Sequence, residues 1–186
     1  MNHNVANAHN NQPKKFVTSL WLEKFAKTGN GWLIIISGSM APLIQIKDQI
    51  LIKRTTASQV YIGDIITFWQ ENILVTHRVI RKFTKGGNIY FVEKGDANTN
   101  YSWVDAQSMI GKVIKIKKGE LEVDIDALPW KTFNRITGIG LLCAFALRAI
   151  GRRIPAIPQW LKNFVRRAFA FLVWFKNKTL RIMLHQ

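Results

Sequence analysis

Short β-type runs repeat along the middle of the chain, and they constrain its fold more than any other feature. Seven runs of four to nine residues are rich in Ile, Leu, Val and aromatic side chains, and Gly or Asp residues punctuate them. The runs cover residues 32–36, 49–54, 64–69, 73–81, 89–92, 110–116 and 121–125. Strands of this length and spacing predict a small, coiled all-β domain over residues 30–127.

The chain before this domain divides into two segments. Residues 1–15 hold five Asn, two Lys and two His, and they predict a disordered polar arm. Two histidines among so many asparagines do not make a metal-binding tract. Residues 16–29 place Phe16, Leu20, Trp21 and Phe25 at helical spacing, which predicts one short amphipathic helix.

The chain after the domain is strongly basic. The net charge is +16, and residues 131–186 hold 11 Lys and Arg with no Asp or Glu. An apolar segment over 136–147 and a helix from Pro158 to about Phe175 predict a basic amphipathic helical tail over 128–186. Such a tail suits an anionic membrane surface. Packing on the β-domain or docking on a protein partner are the alternatives, and no nucleic acid is expected because no binding motif is evident.

Cysteine content and hydropathy exclude several classes of protein. The single Cys143 excludes an internal disulfide framework and a zinc cluster built on cysteines. A hydrophobic content of 48% excludes a mostly disordered chain. We expect neither a membrane-spanning helix nor a signal peptide, because no apolar run is long enough and the first 15 residues lack an apolar core.

Three segments carry residues suited to catalysis. Ser37-Gly38-Ser39-Met40-Ala41-Pro42 follows a predicted strand, His77 lies on another strand, and Asp96 lies in the turn Glu93-Lys94-Gly95-Asp96-Ala97-Asn98. Taken singly, each has an ordinary explanation. A turn often holds Ser, a strand histidine is more often structural, and an Asp stabilises a turn through its own backbone. A Ser becomes a nucleophile at neutral pH only beside a base.

The order of the motifs resembles type I signal peptidase. Ser-Gly-Ser-Met-x-Pro precedes Gly-Asp-Ile-Ile-x-Phe, which begins at Gly63, and then His-Arg-Val and Lys-Gly-Asp-x-Asn follow. The resemblance covers about residues 32–118 and is strongest to the branch that uses Ser and His, found in the endoplasmic reticulum, archaea and some Gram-positive bacteria. It implies a coiled antiparallel β-domain, shared with LexA-type self-cleaving repressors, and a serine endopeptidase.

The same resemblance assigns roles to individual residues. Ser39 matches the nucleophile and His77 the general base, and Asp96 matches the aspartate of the Lys-Gly-Asp motif. Asp105 is the nearest match to a second, later aspartate of the family, at a longer spacing than usual. Which of the two aspartates orients His77 is therefore left open.

Further positions carry over around the nucleophile. The Ser37 hydroxyl and the Ser39 backbone N–H match the donors that bind the oxyanion, and Met40 and Pro42 match residues that shape the substrate side. Ala41 stands where close relatives usually have Glu. The mechanism implies no metal and no organic cofactor.

These assignments predict a precursor peptide or preprotein as substrate, bound as an extended strand with small residues in its pockets. Residues 23–31 do not form a membrane span before Ser39, so we expect a peripheral membrane protein on the cytoplasmic face that trims a leader. It would be cytoplasmic if the tail packs on the domain. The alternatives are a catalytically retired module that binds a membrane or partner, and a LexA-like self-cleaving regulator. The latter is disfavoured because His77 replaces a Lys and no DNA-binding domain precedes the β-domain.

Overall fold

The computed structural model describes residues 12–153 together with the single positions 163 and 167. It contains helices α1 (Gln12–Thr28) and α2 (Trp130–Arg153), with eight strands between them. The strands are β1 (Asn30–Ile34), β2 (Gln49–Lys53), β3 (Ile65–Gln70), β4 (Ile73–Lys85), β5 (Asn88–Lys94), β6 (Ser102–Asp105), β7 (Met109–Lys118) and β8 (Leu121–Asp124). The helix expected from Pro158 to about Phe175 lies outside the described residues, apart from two positions.

The eight strands form one curled antiparallel sheet, which confirms the mainly β fold class. The strand order is β1-β2-β7-β3-β4-β5-β6, and β8 pairs with β7. The register shifts by a bulge between β2 and β7, between β3 and β7, and between β4 and β5. Bulges increase the local twist, and they bend the strands so that the sheet can curl around its cores.

Two hydrophobic clusters fill the curled sheet. The larger one, called here the main core, is formed by apolar side chains from β2, β3, β7 and β8, from the segments after β1 and β8, and from both helices, and Leu33 of β1 packs against it. Phe25 of α1 and Trp130 and Phe133 of α2 are buried in it. The smaller one is centred on Phe68 and Phe91 of β3 and β5. Burial of these side chains stabilises the sheet at roughly 1.5–3 kcal/mol for each large apolar residue.

Helix α2 contacts the sheet at a glycine. Gly63 has a φ of +94°, and a Cβ there would lie 2.3 Å from the carbonyl oxygen of Asn134, so only glycine permits this approach. Arg135 then donates a hydrogen bond to the carbonyl of Ile62 at 2.6 Å. The helix continues past Arg148, where the apolar segment was expected to end. Within residues 12–153, neither helix has the length and hydropathy required to cross a bilayer.

Candidate active site

Ser39 lies in the segment that connects β1 to β2. The backbone turns sharply there, because Ala41 N–H donates to the carbonyl of Gly38 and Ile44 N–H donates to the carbonyl of Met40. The Met40 side chain is buried in the main core, whereas Ser39 is only half-buried. Anchoring of Met40 in the core therefore holds the neighbouring serine at the surface of the domain.

His77 lies on β4, between β3 and β5, and its ring contacts the serine. Its Nε2 is 3.1 Å from Oγ of Ser39, which is hydrogen-bond distance. The edge of Phe68 packs near the imidazole, with ring centroids 6.3 Å apart. The His77 side chain is 14% exposed. The structure thus brings together the two residues that the motifs predict as nucleophile and base.

The other ring nitrogen of His77 contacts a carboxylate that the motifs do not identify. Nδ1 of His77 lies 2.5 Å from Oε2 of Glu93 on β5, and the Glu93 side chain is 4% exposed. Glu93 immediately precedes the Lys-Gly-Asp motif, in the segment that the sequence predicts as a turn offering Asp96. Strand β5 runs through Lys94, so Glu93 is a strand residue with a defined face.

Asp96 contacts Arg78 instead of His77. Its two carboxylate oxygens accept hydrogen bonds from Nε and Nη2 of Arg78, each at 2.8 Å, and both side chains are fully buried. The Arg78 Nη1 also donates to the Gly63 carbonyl and to Oδ1 of Asn134 in α2. His77 and Arg78 are adjacent on β4, so their side chains point to opposite faces of the sheet.

The loop that carries Asp96 also contacts the serine backbone. Ala97 N–H donates to the carbonyl of Ser39 at 2.9 Å. A Cβ on Gly95 would lie 2.7 Å from the same carbonyl oxygen, so glycine is needed for this approach. The Arg78–Asp96 pair therefore holds a loop that lies directly against Ser39.

The remaining predicted site residues lie in other surroundings. Asp105 ends β6, and its carboxylate accepts a hydrogen bond from the N–H of Gln107 at 2.8 Å, which caps a short 3₁₀ turn. Ser37 is exposed, two residues before Ser39. Pro42 is half-buried, and its peptide bond with Ala41 is cis. The proposed oxyanion role of Ser37 and the substrate-side roles of Met40 and Pro42 stay predictions.

The site contains the parts needed for acyl transfer. A hydroxyl contacts one nitrogen of an imidazole, and a buried carboxylate contacts the other, an arrangement that can activate the hydroxyl as a nucleophile. Among the described residues, no three His, Cys, Asp or Glu side chains converge into a metal site. The contacts of His77 with Ser39 and Glu93 are those of nucleophilic and acid–base chemistry.

Comparisons with known proteins point to one family. No protein-family model matches the chain. Signal peptidase I W of Bacillus subtilis is 39% identical over 66 residues, which are 34% of this chain and 35% of the relative. The signal peptidase complex catalytic subunit SEC11 of Fusarium vanettenii is 24% identical over 124 residues, covering 59% of this chain and 72% of the relative. The SEC11 subunit of Neurospora crassa is 31% identical over 71 residues, covering 37% and 41%.

The matched region is only part of each relative, about a third of the Bacillus protein and less than three quarters of the Fusarium one. All three relatives are nevertheless named as a signal peptidase or as the catalytic subunit of a signal peptidase complex. They relate the chain to the type I signal peptidases, as the order of its motifs predicts.

Proposed function

For this relative of the type I signal peptidases, we propose the function of a serine endopeptidase that removes a signal or leader segment from a precursor polypeptide. Ser39 is the nucleophile and His77 the general base. The observation that carries the proposal is the 3.1 Å contact between Ser39 Oγ and His77 Nε2. That contact is the geometry in which a base can accept the hydroxyl proton.

The proposed reaction proceeds in two halves. Ser39 Oγ attacks the peptide carbonyl carbon while its proton passes to His77 Nε2, and an oxyanion forms. The C–N bond then breaks, His77 returns the proton to the leaving amine, and an acyl ester remains on Ser39. Water attacks that ester with His77 again as base, which releases the new carboxyl terminus and restores the Ser39 hydroxyl. The Ser39 N–H and the Ser37 hydroxyl are the proposed oxyanion donors; one such donor is commonly worth about 10²–10³ in rate.

We place the substrate along the exposed chain that leads into Ser39. Strand β1 lies at one end of the strand order, and residues 36–38 are exposed as they approach the nucleophile. An extended polypeptide bound there would present its carbonyl to Ser39 by strand addition. By similarity to the family, we expect small side chains such as Ala beside the cleaved bond.

The basic tail supports association with an anionic membrane surface. It carries 11 Lys and Arg and no acidic residue after position 130; two of them, Lys131 and Arg135, pair with Asp126 and Asp64 of the domain. Each Lys or Arg held near an anionic bilayer contributes about 1 kcal/mol. Peripheral binding through this tail would bring the site to precursors that are themselves bound to the membrane.

The proposal is tested by cleavage of a peptide library rich in small residues and of a preprotein, with anionic vesicles present. We expect the unmodified protein to cleave and both Ser39→Ala and His77→Ala to lose roughly 10⁴-fold or more in kcat. Ser58→Ala is the matched control, because its exposed hydroxyl contacts only Thr56 among the described residues. Equal cleavage by Ser39→Ala would refute the assignment. Absence of cleavage by the unmodified protein would favour the retired module, and a self-generated fragment would favour a LexA-like regulator.

A further inference from the structure

We infer that Glu93 is the positioning residue that orients His77 and fixes where its proton resides. This inference rests on the proposed serine peptidase function and adds to it the third member of the catalytic unit. The motifs direct attention to Asp96 and Asp105 for that role. The contacts of the three carboxylates lead to a different assignment.

The strand register explains why Glu93 faces His77. At the hairpin end of β4 and β5, Thr84 lies opposite Ile89, and an unbroken continuation of that register would place His77 opposite Asp96. The structure instead has a one-residue bulge in β4 between Val79 and Arg81. Beyond the bulge Val79 lies opposite Glu93, and His77, two residues before Val79, points to the same face as that glutamate. Bulges beside active sites commonly redirect a side chain in this way.

The contacts of Glu93 suit the orienting role. Its Oε2 lies 2.5 Å from Nδ1 of His77, and in the described part of the chain no other side chain forms a hydrogen bond with this carboxylate. A carboxylate only accepts hydrogen bonds, so it places the imidazole proton on Nδ1. Nε2 is then left with its lone pair toward the Ser39 hydroxyl. When Nε2 takes the serine proton, the buried charge of Glu93 stabilises the imidazolium that forms.

The two aspartates have other contacts. Both oxygens of Asp96 accept from Arg78, whose side chain is on the opposite face of β4 from His77. Asp105 caps the turn after β6. We therefore assign Asp96 to holding the loop 95–98 against Ser39 and Asp105 to the turn.

The kinetic test compares two substitutions of Glu93. Glu93→Gln keeps the size of the side chain and removes its charge, and its amide N–H favours the unproductive tautomer of His77. Glu93→Asp keeps the charge and shortens the side chain. We expect Glu93→Gln to lower kcat by roughly 10²- to 10⁴-fold with KM nearly unchanged, and Glu93→Asp to retain more activity than Glu93→Gln. Glu122→Gln on β8, whose partner is Lys115, is the matched control and should behave as the unmodified protein.

A purely structural role would reverse that order, because Gln fills the space of Glu better than Asp does. Greater activity in Glu93→Gln than in Glu93→Asp would overturn the inference. So would a kcat within about threefold of the unmodified protein in Glu93→Gln, since one tautomer-fixing hydrogen bond should cost far more than that.

A second measurement does not depend on catalysis. Nitrogen NMR of protein labelled with ¹⁵N-histidine reports which ring nitrogen carries the proton, and His77→Gln identifies the resonance of His77. In the neutral imidazole we expect the proton on Nδ1 in the unmodified protein and a change of tautomer population in Glu93→Gln. A proton on Nε2 in the unmodified protein would overturn the inference, even if Glu93→Gln failed to fold. If the protein cleaved nothing but showed the Nδ1 tautomer, the orienting contact would stand while the proposed function failed.

Discussion

Replacing Asp96 by Asn tests whether this residue acts through the fold or in the chemistry. Asp96 and Arg78 are both fully buried and are joined by two hydrogen bonds of 2.8 Å. We expect Asp96→Asn to lower the free energy of unfolding by about 3–5 kcal/mol, the usual cost of breaking a buried ion pair from one side. Loss of activity should accompany that destabilisation, because the loop 95–98 then loses its anchor beside Ser39.

The magnitude follows from what remains around Arg78. The Asn oxygen can still accept one guanidinium N–H, but the amide NH₂ faces the second donor, so one charge-assisted hydrogen bond worth about 1.5–3 kcal/mol is lost. The guanidinium charge stays buried, with the neutral Gly63 carbonyl and the Asn134 side chain as its other hydrogen-bond acceptors. For a chain of this length, a loss of 3–5 kcal/mol corresponds to a fall in Tm on the order of 10 °C.

Urea unfolding of the unmodified protein and of Asp96→Asn gives the difference directly. Asp105→Asn is the matched control, since Asn caps a helical turn nearly as well as Asp and should cost less than about 0.5 kcal/mol. In the double variant Arg78→Met/Asp96→Asn the buried charge is gone, so its stability should exceed that expected from the two single losses. A destabilisation below about 1 kcal/mol would refute the reasoning. A stable Asp96→Asn protein without activity would refute it too, and would favour a direct role of Asp96 in the reaction.

Two further predictions concern other parts of the domain. Gly95→Ala should lower kcat by roughly 10- to 100-fold, because the added Cβ would lie 2.7 Å from the Ser39 carbonyl oxygen and displace the nucleophile; unchanged kinetics would show that the loop position is unimportant. At Asp126, burial opposes ionisation, but the ammonium groups of Lys112 and Lys131, 2.7 and 3.6 Å away, together outweigh it and lower the pKa of this carboxyl. Since the folded pKa lies below the unfolded value of about 3.9, the ionised carboxylate stabilises the fold above that value and the effect is lost as pH falls through the folded pKa. Asp126→Asn should therefore cost up to about 1 kcal/mol at pH 7, and unfolding experiments should show that cost decreasing as pH falls below about 3.9; a cost that does not change with pH would contradict the ion pair.

Most of the fold could be predicted because its signals are local. The seven runs of β-branched and aromatic residues each correspond to a strand, and the Gly and Asp residues between them mark the turns. Strand β6 was missed because its four residues, Ser-Trp-Val-Asp, are short and mostly exposed at the end of the strand order. Helix α1 begins at Gln12, inside the segment expected to be a polar arm.

Helix α2 shows the limit of hydropathy as a guide to where a helix ends. Arg148 interrupts the apolar segment, but Arg has a high helix propensity, so a charged residue there does not stop the helix. The contact of α2 with the sheet depends on a positive φ at Gly63 and on Asn134 reaching Arg78. Gly63 and Asn134 are 71 positions apart, and Arg78 and Asn134 are 56 apart, so no local pattern links them.

Local motifs predict some residues of the site, whereas others depend on the long-range pairing of strands. The motifs identify Ser39 and His77, which the structure places in contact. Whether Glu93 or Asp96 faces His77 depends on the parity of the β4–β5 register, and one inserted residue in a strand reverses that parity. The bulge between Val79 and Arg81 has no sequence signature such as a glycine, since the residue it contains is the buried Ile80. The alternation of side chains along a strand predicts the face of Glu93 correctly only when the position of the bulge is known.

Glu93 and Asp96 bind two adjacent residues of β4, and the bulge determines which acid faces which residue. Glu93 lies on the face of His77, and Asp96 reaches the face of Arg78 through the turn after β5. His77 and Arg78 thus each have their own carboxylate, and the two pairs lie on opposite faces of the sheet. A shift of the register by one residue would exchange the two acids, placing Asp96 on the face of His77 and Glu93 on the face of Arg78.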